Sequence, residues 1–258
     1  MNGTATIIWR AVGAVFVVFL LSPLALVVLF SFTSRAQSAF PIEALSLQWW
    51  GAMFADANFA PAFWNSIKIS GTVGLLSAIV GTMAAMGLAR LEPARAYLVT
   101  ILLCLPLMLP PLVLAVALLS FYSKADIPMS WRTVAASHLL AFLPFVVLVV
   151  FARLRNFDFR VVESARDLGA SPLRAFFTVT LPIIRPTVIG AALIAMAFSL
   201  DDFIITYFTI GKGMTLPTFV FNMIRSALTP KANAVGTLIL IMTIGTTPIA
   251  LWLTRYRG

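Results

Sequence analysis

The sequence is short of charge. Asp, Glu, Lys and Arg make up 10% of its 258 residues, against 61% hydrophobic, and the mean hydropathy is +1.01. A water-facing globule carries about 25% charged residues, so a soluble domain is excluded. Cysteine is nearly absent too. The single Cys104 admits no internal disulfide and, inside an apolar run, reads as a small hydrophobe. The single His138 offers no metal-ligand spacing, and beside Ser137 it suits a structural hydrogen bond better than a proton relay. One histidine, one cysteine and no acidic cluster in the apolar core argue against an intramembrane enzyme, which needs a nucleophile with its base or a metal cluster. No G-x-x-x-x-G-K-[ST] phosphate loop exists, and the Gly-Lys-Gly at Gly211 does not match one. No basic block is interleaved with aromatics either. The net charge of +9 therefore reads as basic flanks of membrane spans, and nucleic acid is set aside as a partner.

What the chain has is long apolar runs. They predict an all-α polytopic membrane protein embedded in the lipid bilayer, because only helices or closed barrels satisfy their backbone groups in lipid and these runs lack a barrel's alternation. About six spans are expected, at 7–31, 66–89, 97–121, 133–152, 184–201 and 233–253. The first is read as a retained span rather than a cleaved signal. The fifth is short if it stops at Asp201, so its helix is expected to run past that residue. Pro106, Pro110 and Pro111 should kink the third; a flexible element is the alternative. The outer segment 32–65 is expected to hold a short interfacial helix at Trp49 and Trp50. No internal repeat or linker shows, so residues 1–258 are read as one membrane domain. The absent repeat and the small number of spans also argue against a stand-alone ion-coupled carrier. Basic residues are denser on one set of flanks, including Arg90, Arg153, Arg160, Arg174 and Arg255, which places both termini inside.

The densest charge follows the fourth span, in FDFRVVESARDLGASPLRAFFTVTLP. Val161, Val162, Ala165 and Leu168 recur at helical spacing, with Glu163 and Asp167 on the other face. Asp158 is a candidate N-cap, Gly169 a candidate C-terminal stop, and Ser171 followed by Pro172 a second helix start. Two short helices with a tight turn should result, followed by a break or kink at Pro182 and Pro186. An idle connector needs no such specified ends. A rigid elbow joined to two spans suggests a docking surface within the cytoplasmic loop 154–183.

This stretch resembles the permease subunits of ABC importers, whose cytoplasmic loop reads E-A-A, three residues, G, nine residues, I-x-L-P. Here stand Glu163, Ser164, Ala165, Gly169, Val179, Leu181 and Pro182, with Ser164 and Val179 as mild departures. The resemblance implies the type I importer (MetI-like) permease fold and an ATPase-coupling surface at Glu163, Ser164, Ala165, Asp167, Gly169, Ser171, Pro172, Leu181 and Pro182. It also implies that this chain binds no cofactor, ATP and Mg being used by a partner ATPase. The implied partners are a second permease forming a heterodimer, an ATP-binding subunit dimer and an extracytoplasmic substrate-binding protein, and the implied place is a bacterial inner membrane.

A second stretch begins at Ser199. Asp201 and Asp202 end the fifth span, opening the outer segment 202–232. Intramembrane carboxylates face a cavity or a partner, although a helix end reaching water, or pairing with Arg225, is the plain alternative. Spaced carboxylates with aromatic faces suit a linear polyamine. Phe203 and Tyr207 follow the pair, and Trp49 and Trp50 are further candidates for the substrate pathway, though interface anchoring is the commoner use of such rings. The pattern S-L-D-D-F-x-I, then G-x-G, T-L-P and P-x-x-N-A, is similar to the second permease subunit of spermidine/putrescine importers. Permeases for ferric iron, opines, thiamine or phosphonates share much of this architecture.

Overall fold

Apolar residues surround the first helix on all sides, which is the signature of a helix in lipid or against another membrane chain. In a computed structural model describing residues 3–226 and 229–255, this is α1 (Gly3–Phe30), and its large side chains from Ile7 to Leu21 are exposed. There follow α2 (Gln48–Phe54), α3 (Phe59–Ala89), α4 (Pro93–Met108), α5 (Pro111–Lys124), α6 (Trp131–Arg155), α7 (Arg160–Asp167) and α8 (Pro172–Ala175). A π-helical turn (Phe176–Thr180) leads into α9 (Leu181–Asp201), then α10 (Ile204–Thr209), α11 (Leu216–Ser226) and α12 (Pro230–Arg255).

Among the described residues, four helices are long and apolar enough to cross a bilayer, or five if α4 and α5 count as one broken span. The expected third span, 97–121, is thus divided between α4 and α5, with the expected kink at Pro110 and Pro111. Pro110 and Pro111 bring no amide hydrogens to the preceding turn, and the chain bends there by 93°. The sixth expected span lies within α12, part of whose side chains fall outside the described residues.

Two compact units emerge. One gathers the chain up to Ala60 with Phe219–Ile241; the other is Pro61–Thr218 with the chain from Met242 on. In the first, the expected interfacial helix is present as α2, and the Trp50 ring stacks on Phe32 with centroids 5.7 Å apart. Arg35 pairs with Glu43. The ammonium of Lys231 donates to Asp56 at 2.6 Å, and Asn233 donates to Ser38 Oγ at 2.7 Å. Lys231, with the Asn58 amide, holds the Asp56 carboxyl below its ordinary range.

In the second unit, α6 packs along α9. Their shared core includes Val146, Val147, Val150 and Leu154 with Ile184, Val188, Ala191 and Ala195, together with Ala85 and Leu88 of α3. The approach of α3 is close. A Cβ on Gly81 would lie 3.0 Å from Cγ1 of Val146, so this crossing needs the missing side chain.

Of the break or kink expected at Pro182 and Pro186, the break is absent: Pro172–Asp201 is continuous helix. Pro182 has no amide hydrogen for the turn behind it, and that turn is widened, with the Leu181 amide donating to the Phe176 carbonyl in π fashion. Nor does the helix run on past Asp201. Asp202 is extended, at φ −67° and ψ 121°, and α10 is a separate element.

Candidate functional site

The elbow forms from local chemistry. Asp158 Oδ1 accepts the Arg160 amide at 3.0 Å, the N-cap bond expected of it, although regular helix is assigned only from Arg160. At the other end, Gly169 has φ +91°. Its amide donates to the Arg166 carbonyl at 2.9 Å, and the Ala170 amide donates to the Ala165 carbonyl at 3.0 Å. Those two bonds make a Schellman stop, in which the residue after the helix adopts positive φ and glycine does so without steric cost. Ser171 Oγ then accepts the Arg174 amide at 3.3 Å, with Pro172 in the first turn of α8.

Glu163, Asp167, Gly169, Ser171 and Pro172 line one shallow concavity, together with Arg166 and Ala170. Ser164 and Ala165 lie on α7 outside that lining; Ser164 Oγ donates to the Arg160 carbonyl at 3.0 Å. Leu181 and Pro182 lie further along, at the start of α9. The apolar face of α7 is partly covered: Val162 and Ala165 are half-buried and Val161 is exposed. Leu168, just past the helix, is 90% exposed, and Leu173 on α8 and Phe177 in the π turn are exposed as well. Exposed apolar side chains grouped in this way suit a partner surface.

The second candidate site, at the end of α9, is divided. Asp201 is exposed. Asp202 is turned inward, its side chain 12% exposed, with Oδ2 3.1 Å from Nε2 of the fully buried His138. The same Oδ2 accepts the Thr206 amide at 2.9 Å and the Thr206 hydroxyl at 3.2 Å. His138 Nδ1 is 2.8 Å from Ser199 Oγ. The histidine is thus a structural hydrogen bonder, as expected from the sequence, and it joins α6 to both α9 and α10. Arg225, one alternative considered for pairing with an aspartate, lies over the Phe221 ring at 5.6 Å. Phe203 and Tyr207 form a ring pair with centroids 5.4 Å apart. Trp49 and Trp50 sit on α2 in the other compact unit, and among the described residues neither indole nitrogen has a hydrogen-bond partner.

Nothing in the sequence pattern points to the partners of His138. Ser199 and Asp202 lie 61 and 64 positions away, and only the packing of α6 on α9 brings them within reach. Among the described residues no group of His, Cys, Asp and Glu could hold a metal ion.

Residues 77–256 match the family described as binding-protein-dependent transport system inner membrane component. The putrescine transport system permease protein PotI of Escherichia coli (strain K12) is 33% identical over 234 residues, covering 86% of this chain and 82% of that protein. The spermidine/putrescine transport system permease protein PotC of Haemophilus influenzae is 28% identical over 214 residues, covering 83% of each. Among solved structures, a chain from a bacterial ABC transporter involved in the import of the acidic polysaccharide alginate superimposes with TM-score 0.68 at 17% identity, covering 98% of this chain and 94% of that one. At that identity the likeness is one of fold.

Proposed function

Because the chain belongs to the family of binding-protein-dependent transport system inner membrane components, and is accordingly a permease subunit of an ABC importer rather than an enzyme, we propose that its cargo is a linear polyamine such as putrescine or spermidine. The cargo of its relatives supports this. So does the chemistry at the end of α9, where an exposed carboxylate, Asp201, stands two positions from the Phe203–Tyr207 ring pair. Ammonium groups pair with carboxylates and aromatic faces, and rings also cover the methylenes between the amines. In this reading Asp201, Asp202, Phe203 and Tyr207 belong to the pathway.

The observation that carries the coupling mechanism is the elbow, with its specified ends and its bare Leu168. It seats on a separate ATP-binding subunit, which binds ATP and Mg. A dimer of such subunits closing on ATP moves two elbows, one on this chain and one on a second permease with which it forms a heterodimer. Helix α7 pushes on the π turn it packs against, and the Pro172–Asp201 helix carries that displacement across the bilayer. The spans then alternate between inward-open and outward-open states, receiving cargo from an extracytoplasmic binding protein. Both compact units belong to one permease domain of a bacterial inner membrane, with both termini cytoplasmic.

The test is uptake by the assembly reconstituted in liposomes with ATP inside, offered putrescine, spermidine, ferric iron, an opine, thiamine and a phosphonate. Accumulation of the polyamines alone is expected. Accumulation of another solute without polyamine overturns the cargo assignment.

A further inference from the structure

His138 is the one histidine of the chain, it is completely buried, and nothing in the coupling mechanism uses it. Both ring nitrogens have partners. Nε2 lies 3.1 Å from Asp202 Oδ2 and 3.1 Å from Thr206 Oγ1, and Nδ1 lies 2.8 Å from Ser199 Oγ. Three groups converge on one oxygen of Asp202: the His138 ring, the Thr206 amide and the Thr206 hydroxyl.

The place of this cluster matters more than its strength. Asp202 is the extended residue at which α9 ends, and Thr206 lies in the first turn of α10. The carboxylate therefore caps α10 with its own side chain while His138 ties it to α6. A second bond holds the far end of α10: Thr133 Oγ1 donates to the Thr209 carbonyl at 2.8 Å. Between the two, Ile205 is buried with Leu114 and Ala115 of α5 and Ala141 of α6. Helix α10 is thus tied to α6 at both of its ends.

Resting on the polyamine reading, we propose that His138 is a positioning residue for cargo recognition. It pins Asp202, and through Asp202 it fixes the α9–α10 break, so that Asp201 and the Phe203–Tyr207 rings stand at a preset spacing toward the ammonium groups. Asp202 serves as the pin, and Asp201 is the carboxylate that meets the cation. A buried hydrogen-bonded network is suited to this task, because a satisfied one has a single arrangement, while a partly satisfied one is costly.

The readout is the number of ATP molecules hydrolysed per polyamine taken up by the reconstituted assembly. A residue needed only for folding lowers both activities together and leaves this ratio unchanged. Loss of cargo positioning lets ATP turn over without transport and raises it. His138→Leu and Asp201→Asn are each expected to raise the ratio by about tenfold, the scale of one charge-assisted hydrogen bond. His138→Gln still presents an N–H toward Asp202 and is expected within about threefold of wild type. Asp202→Asn keeps an acceptor oxygen for His138 and Thr206, so it raises the ratio less than Asp201→Asn. An unchanged ratio in His138→Leu, or a larger effect at Asp202 than at Asp201, overturns the proposal.

A second measurement does not involve cargo: a double-mutant cycle in thermal melting of the assembly, with His138→Leu and Asp202→Leu singly and together. Non-additive losses are expected; additive losses overturn the pin. If the wild-type assembly takes up no polyamine, the cargo reading fails on its own and the cycle still decides whether Asp202 is pinned.

Discussion

The amide of Ala170 donates to the carbonyl of Ala165 at 3.0 Å, closing the turn between the two short helices of the elbow. That bond exists because Gly169 between them holds φ +91°. A Cβ at Gly169 would meet nothing within 4 Å, so strain and not collision limits this position. Gly169→Val puts a β-branched residue at positive φ, which is strongly disfavoured, and it is expected to abolish uptake and ATPase stimulation while the chain still inserts. Gly169→Asn, which tolerates positive φ, is expected to retain most of both. Liposome uptake and phosphate release check this pair.

Removing the Ser171 cap is milder. Ser171→Ala loses the bond to the Arg174 amide and should cost about 1 kcal/mol locally. Faster hydrogen exchange across 172–175, with little change in the global melting temperature, is the expected result.

Much of the elbow was legible in the sequence, because caps are local: Asp158, Gly169 and the Ser171–Pro172 pair each act within a few residues. The end of α9 was less so. Hydropathy sees apolar content, and Pro182 and Pro186 look like breakers to it, yet a single π turn absorbs the first of them. Leu109-Pro110-Pro111 announced a kink without its 93° angle. The partner of Asp202 was unreadable because the histidine that makes the contact lies 64 positions away in the chain.

Gly81 and Gly190 offer a contrast within the same unit. A Cβ at Gly81 would press on Val146 at 3.0 Å, whereas nothing lies within 4 Å of one at Gly190. Gly81→Leu is expected to cost about 1–3 kcal/mol through overpacking. Gly190→Ala is expected to be neutral or to stabilise by about 0.5–1 kcal/mol through helix propensity. Thermal melting in detergent compares the two.

The Asp56–Lys231 pair makes a pH prediction for the first compact unit. Lys231 holds the folded Asp56 carboxyl below its unfolded value. Its contribution is therefore complete above the ordinary carboxylate pKa of about 4 and is lost as pH falls through the lower folded value. Asp56→Asn should lower stability near neutral pH by about 1 kcal/mol, and its melting temperature should fall less steeply than that of wild type below about pH 4. Parallel acid limbs in the two proteins would contradict this.

The coupling claim is tested most directly at Leu168, 90% exposed at the tip of the elbow. In a Cys104→Ser background, Leu168→Cys carrying a photo-activated crosslinker is assembled with the ATP-binding subunit and irradiated with and without nucleotide. The account predicts a crosslink to that subunit whose yield changes on ATP binding. A residue 168 that stays unlinked and freely reactive to soluble thiol reagents in every nucleotide state would contradict it.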